Sequence, residues 1–250
     1  MAGQKGVGYE AIADELRARI ASGDLPPGGT VPSENEIRAK YDVGRETAAK
    51  VLRVLREEGL ISTSRGAPSK VREYRPVRRQ ANARLSETVW GSGQSMWGVD
   101  VRDERPEVVD LEVDRIEAPA RVAEALGVPR GTAVVRRSRR YFLDGKPVLK
   151  AVSYLPADIA DGTRIAEADT GKGGIYKRLE ELGYKPTTFR EEVRSRMPLK
   201  EERQALDLER GTPVLLVVRT ASTSDGRVVE VNDMVLNAAS YILDYVIPSA

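Results

Sequence analysis

The sequence predicts an α+β protein in two parts: an N-terminal group of helices with a small hairpin, then a body of antiparallel strands and short helices. Three observations carry this reading. Residues 33–71 hold two helix-like segments followed by a strand pair, strand runs flank Asp-Gly turns further on, and a ten-residue segment recurs at an offset of 80.

In the first part, Ile12, Leu16 and Ile20 stand at i, i+4, i+8, so residues 9–22 form a helix with one apolar face. Gly23 ends it, and the Pro- and Gly-rich residues 24–30 are a loop. Ser33 and Glu36 fit a capping box that starts the next helix, with Ile37 and Tyr41 one turn apart. After a break at 41–44, Gly44 caps a helix carrying Ala48, Val51, Leu52 and Leu55 and stopped by Gly59. Leu60–Ser64 and Lys70–Arg72 read as strands joined across 65–69. Helix, tight turn, helix and hairpin make a winged helix-turn-helix.

The charges suit nucleic acid. From Arg45 to Arg79 there are ten Lys/Arg against four acids, and each phosphate neutralised releases condensed counterions. An ordinary helical hairpin with a solvated charged face has the same pattern. Over residues 1–80 there are fifteen basic and eleven acidic residues, whereas the rest of the chain is slightly acidic and the whole carries +2.

Beyond these patterns, Tyr9…Ile12-Ala13…Leu16-Arg17…Leu25-Pro26-Pro27-Gly28…Val31-Pro32-Ser33-Glu34…Glu36, then Val43-Gly44-Arg45-Glu46-Thr47…Val51-Leu52…Leu55…Glu58-Gly59-Leu60, resembles the GntR family of bacterial transcription regulators over about residues 9–72. The resemblance implies that Arg45 and Thr47, at the start of the second helix, read bases and phosphates in the major groove. It also implies that Arg65 and Gly66 form a wing tip approaching the minor groove. The expected DNA-facing set adds Ser33, Glu34 and Asn35 at the preceding helix start. Gly44, Glu46, Lys50 and Arg53 on the second helix and Lys70 on the wing complete it. Gly44 stands where the family usually has Ser or Thr, and Ala49 where it often has Arg; both departures bear on the operator sequence.

Composition excludes several chemistries. With no cysteine and no histidine there is neither a disulfide framework nor the commonest general base and metal ligand. No cofactor or metal is expected. No signal peptide or membrane-length apolar run is visible, so the expected location is cytoplasmic, with no membrane partner.

Boundaries are expected at 1–73 for the winged helix, 74–84 for a polar, basic linker whose arginines contact either solvent or phosphate, and 85–250 for the body. In the body, Val108–Val113 reads as a strand and residues 119–126 as a helix. Val134–Leu143 and Pro147–Leu155 read as strands around Asp144-Gly145. Ile175–Leu182 is a helix, Thr187–Arg196 a strand and Pro198–Leu206 a helix. Val214–Ser222 and Val228–Leu236 are strands around Asp225-Gly226, and Tyr241–Ile247 closes the sheet. Ala125–Val134 returns as Ala205–Val214, each copy a helix, an Arg-Gly-Thr turn and a strand. Two copies suggest a pseudo-symmetric sheet with a central cleft, a natural small-molecule site.

The body is similar to the UTRA effector-binding domain over about residues 108–247. The residues concerned are Val122–Val128, Arg139…Asp144-Gly145…Pro147-Val148…Ser153-Tyr154-Leu155-Pro156, Tyr176…Leu179…Gly183…Pro186, Gly211–Leu215 and Asp225-Gly226…Val229-Glu230. The resemblance implies the HutC subfamily, a chorismate lyase-like fold, a homodimer and a small acidic effector. Arg139 matches the first arginine of the family's R-x-R, Tyr141 stands at the second, and Arg137 shares their strand face. Tyr154, Glu230 and nearby Asp233 complete the expected ligand set, although a sheet-edge salt bridge between Arg139 and Glu230 would fit too. Ala151 replaces the acid expected on the following strand, and Gly173-Gly174-Ile175-Tyr176 replaces G-S-L-Y, which argues against an amino-sugar phosphate. Trp90 and Trp97, in a Gly/Ser-rich stretch similar to repressors of plasmid transfer genes, fit either a pocket roof or the core.

The favoured function is a repressor released by its effector from an inverted-repeat, double-stranded DNA operator. A chorismate lyase-type enzyme is disfavoured, because no nucleophile-and-base constellation is present. A constitutive or autoregulatory DNA binder with a degenerate pocket, for example one acting on plasmid transfer genes, is the alternative.

Overall fold

The computed structural model describes residues 7–63, 67–74, 76–92 and 106–247. The chain divides into two compact units, Met1–Arg75 with Glu209–Thr212, and Pro76–Leu208 with Pro213–Ala250.

In the first unit, α1 (Tyr9–Ser22), α2 (Glu34–Tyr41) and α3 (Arg45–Glu57) precede a hairpin of β1 (Ile61–Ser62) and β2 (Lys70–Val71). α2 begins at the expected capping box: Ser33 Oγ accepts the Glu36 N–H at 3.3 Å, and Glu36 Oε2 accepts the Ser33 N–H at 2.7 Å. Such a cap stabilises a helix by about 1 kcal/mol. Asp42, in the left-handed conformation (φ 51°), closes α2 and turns the chain into α3. Ile12, Leu16, Ile37, Ala48, Val51, Leu55 and Ile61 form one dry core. Lys40 bridges to Glu15 at 2.6 Å and Arg17 to Glu58 at 2.6 Å, so these charges fasten helices to their neighbours.

The second unit starts with β3 (Val77–Gln80), α4 (Ala81–Arg84) and α5 (Glu87–Trp90), then β4 (Pro106–Glu117) and α6 (Ala120–Leu126). β5 (Ala133–Leu143), β6 (Lys146–Pro156), α7 (Ala157–Ala160) and α8 (Gly174–Glu181) follow. The unit ends with β7 (Thr188–Arg196), α9 (Lys200–Ala205), β8 (Val214–Ser222), β9 (Val228–Asn237) and β10 (Tyr241–Asp244). β4 to β9 form a six-stranded antiparallel sheet in the order β4-β5-β6-β9-β8-β7. The two copies of the repeat therefore meet at the central β6–β9 pair, mirrored about it.

Each copy ends its helix with a left-handed residue, Gly127 (φ 69°) after α6 and Asp207 (φ 45°) after α9. Asp144 and Gly145, both at positive φ, make the two-residue hairpin turn between β5 and β6. The second Asp-Gly sits in a longer connection, closed by a Thr223 N–H to Arg227 carbonyl bond of 2.9 Å.

One sheet face packs on α6 through Val122, Ala123, Val134 and Val231, and near α9 through Leu206, Leu208 and Val214. The other face carries two separate clusters. Val77 and Tyr241 cover Leu149, Val217 and Leu236; Trp90, Ile159, Ile165, Tyr176 and Leu179 cover Val135, Leu155 and Ala221.

Two expectations are corrected. Residues 77–84, expected in a linker, form β3 and α4, with Arg79 and Arg84 buried instead of solvated or facing phosphate. The residues after 240 do not close the main sheet: β10 pairs in parallel with β3, Tyr241 opposite Val77, as a separate two-stranded layer.

A candidate nucleic-acid interface and a ligand cavity

The start of α3 is exposed and uncapped. Gly44 holds the extended N-cap conformation (φ −67°, ψ 161°) with no side chain to accept the first helical N–H groups, which leaves donors and a positive dipole end for an anion. The Arg45 side chain is 83% exposed, its Nε 3.9 Å from Glu34. Glu46 and Arg53 are also exposed, and Thr47 is half-buried. Asn35 on α2 and Lys70 on β2 face solvent.

Two members of the expected set are occupied structurally. Ser33 uses its hydroxyl as the α2 cap. Lys50 places Nζ 3.6 Å from the centroid of the Tyr9 ring, a cation–π contact that fastens α3 to α1. Arg65 and Gly66 lie outside the described residues. Arg78 pairs with Asp244 and Arg79 with Glu191, both inside the second unit.

Between the two clusters on the second sheet face lies a cavity of about 350 Å³. Its floor is Arg137, Arg139, Tyr141, Leu149, Ala151, Arg219, Glu230, Asn232 and Met234. Val108 and Leu111, flanking a bulge in β4, with Ala168 and residues 170–176 form its walls. Strand alternation explains the floor: Arg137, Arg139 and Tyr141 are two residues apart on β5. Gly173 and Gly174, both at positive φ (83° and 63°), bring the backbone at the start of α8 to the rim.

The arginines differ in how they are committed. Arg137 donates to the carbonyls of Ile165 at 2.6 Å, Ala168 at 3.0 Å and Glu167, so it pins the wall segment. Burial, with Arg139 beside it, lowers its guanidinium to about 10, still protonated at neutral pH. Arg139 donates through Nε to the Tyr141 hydroxyl at 2.6 Å. Burial opposes its charge, but Tyr141 and Glu230 outweigh that and hold it above its ordinary value. Glu230 accepts the Tyr176 hydroxyl at 2.6 Å instead of pairing with Arg139. Burial pushes the Tyr176 phenol well up, which keeps it a donor.

Tyr154 and Asp233, expected in the ligand set, lie on the opposite sheet face: Tyr154 packs in the α6 cluster and Asp233 pairs with Arg121. Trp90 is core, its ring edge-on to Tyr176 at 6.2 Å and its N–H bonded to the Leu85 carbonyl at 3.2 Å. Trp97 lies outside the described residues. Arg219 and Asn232, which local patterns did not single out, are on the floor. The repeat does mark Arg219, since an offset of 80 from Arg139 lands on it.

A winged helix with an exposed arginine at an open helix start, in one chain with a cavity-bearing sheet domain, defines a two-part class of DNA-binding protein. The chain belongs to the GntR family of bacterial regulatory proteins: the family's own model matches residues 8–71 and the UTRA domain matches residues 102–242. It is a transcriptional regulator of the GntR/HutC type, with its fold shared by solved relatives. An HTH-type transcriptional regulator of Streptomyces coelicolor is 31% identical over 230 residues, covering 89% of this chain and 86% of that protein. The HTH-type transcriptional repressor NagR of Bacillus subtilis is 22% identical, covering 89% and 87%. A crystal structure of a GntR-family transcriptional regulator superposes with a TM-score of 0.73 at 28% identity, covering 97% of this chain and 98% of that one. Among the described residues no helix is long and apolar enough to cross a membrane, and no cluster of acids is arranged to hold a metal ion.

Proposed function

We propose that the protein is a repressor, released from its operator by a small acidic effector that occupies the cavity floored by Arg139. The observation that carries this reading is the charge of the cavity: Arg84, Arg137, Arg139, Lys172 and Arg219 line it against the single carboxylate of Glu230. Buried charge of one sign calls for a ligand of the other. In this reading residues up to about 75 bind DNA and the rest of the chain holds the effector and joins two subunits. A homodimer places one winged helix on each half of an inverted repeat, because two-fold symmetry in the protein demands the same in the operator.

Footprinting and gel filtration test the assembly. Symmetric protection of two half-sites by a dimer is the expected result; protection of one asymmetric site by a monomer defeats it. The constitutive alternative draws on Ala151, which stands where an acid was expected, and on the commitment of Arg137 to three carbonyls. It predicts that no small molecule alters operator affinity.

A further inference from the structure

One guanidinium on the cavity floor has unspent hydrogen-bonding capacity. Arg219 is only 2% exposed, yet its Nε and Nη1 meet no acceptor among the described residues. Glu191 and Glu230 each stand 3.9 Å away, beyond hydrogen-bond range. Asn232 lies directly opposite Arg219 across β8 and β9, is equally buried, and its Oδ1 meets no donor. Buried polar atoms are almost always hydrogen-bonded, so two unsatisfied neighbours facing one cavity call for a group that completes them.

The internal repeat sharpens the point. Arg219 occupies the position of Arg139 in the second copy, and Asn232 that of Ala151, since Arg139 pairs with Ala151 as Arg219 does with Asn232. In the first copy Tyr141, two residues on, satisfies the guanidinium at 2.6 Å. In the second copy the residue two on is Ala221, which has no acceptor to offer. One copy satisfies its arginine Nε internally; in the other the guanidinium lies over the Tyr176 ring at 5.6 Å and its Nε and Nη1 keep no hydrogen bond.

We propose that Arg219 and Asn232 form the subsite that selects the effector, and that the effector is a compact dianion with a hydroxyl or amine next to one anionic group. That group accepts from the free N–H donors of Arg219, and the adjacent hydroxyl or amine donates to Asn232 Oδ1. The single carboxylate and several cations of the cavity accommodate the second negative charge. The inference rests on the effector reading above; it adds the residues and the chemistry.

Calorimetric titration of the full chain with malate, tartrate and glycerol 3-phosphate, with succinate as the dianion lacking a hydroxyl, tests it. At least one hydroxylated dianion should bind, with succinate weaker by about tenfold or more; the carboxylate and phosphate arms separate the two sources of the anion. R219M should weaken binding by about 10- to 150-fold, the range for hydrogen bonds to a charged group. N232L, which keeps all the charges and covers the case in which R219M does not fold, should remove the preference over succinate. Equal binding by the wild type and both variants, or no binding by any member of the panel, overturns the proposal. Gel shifts separate the two readings. A ligand releasing R219M from operator as readily as the wild type overturns the subsite alone. A dianion bound through Arg219 without effect on operator affinity supports the subsite and overturns the effector reading.

Discussion

Arg79 Nη1 donates to Glu191 Oε2 at 2.9 Å, with both side chains buried and separated by 112 residues in sequence. The pair fastens β3, the first strand of the second unit, to β7 at the edge of the main sheet, and the Tyr245 hydroxyl adds a bond to Glu191 at 2.9 Å. Removing one partner of a buried pair leaves the other charge stranded, so Arg79→Met or Glu191→Gln alone should destabilise the unit by about 3–5 kcal/mol. The double variant should recover most of that loss. Urea unfolding of the three variants checks the coupling, and additive losses would show that the pair is not a unit.

The same pair sets an acid limit. Burial alone would raise the Glu191 carboxyl; the hydrogen bonds and charge of Arg79 overcome it and bring it down to about 2 from 4.5. A depressed carboxyl stabilises the fold above its unfolded value and loses that contribution as pH falls through the folded one. Stability should therefore decline between about pH 4.5 and 2, with Glu191 responsible for up to about 3 kcal/mol. Thermal melting across this window should show a shallower decline for Glu191→Gln than for the wild type.

That pair also shows where local sequence stops being informative. The helices of the first unit and the β5–β6 hairpin are legible because capping, 3.6-residue periodicity and Asp144-Gly145 act within a few residues. β3 was hidden because Val77-Arg78-Arg79-Gln80 looks like solvated linker until Glu191 neutralises Arg79 from far along the chain. The same holds for the cavity. Alternation puts Arg137 with Arg139 and Tyr141 on one face, and the resemblance adds Glu230, but neither tells which sheet face Tyr154 and Asp233 occupy. Arg219 and Asn232 become legible once the repeat is laid over the strand register.

The division between faces makes a direct test. Asp233→Asn breaks a partly exposed contact with Arg121 on the face opposite the cavity, so it should cost less than about 1 kcal/mol of stability and leave effector affinity unchanged. Tyr176→Phe removes the hydroxyl bonded to Glu230 at 2.6 Å and leaves a buried carboxylate without that donor. A loss of about 1–3 kcal/mol is expected, together with altered effector affinity. Melting temperatures and calorimetric titrations of the two variants should separate cleanly; a ligand-binding defect in Asp233→Asn would return that residue to the site.

The residues of α3 should divide by role. Arg45 is exposed at an open helix start, so Arg45→Ala should cost about 1–3 kcal/mol of specific operator affinity, as for a guanidinium reading a guanine edge. Arg53 and Lys70 are exposed cations with no ion-pair partner among the described residues, which suits phosphate contacts. Arg53→Ala and Lys70→Ala should weaken binding to all sequences alike and flatten the salt slope by about one unit each. Lys50 stands apart, because its ammonium rests on the Tyr9 ring at 3.6 Å. Lys50→Ala should lower the stability of the helical unit by about 0.5–1 kcal/mol and change the salt slope less than Arg53→Ala does. Binding isotherms at several salt concentrations, on operator and on random DNA, read all four variants together. If Arg45→Ala kept the wild-type preference for operator, or Lys50→Ala gave the largest slope change, the assignment of reader and fastener would be reversed.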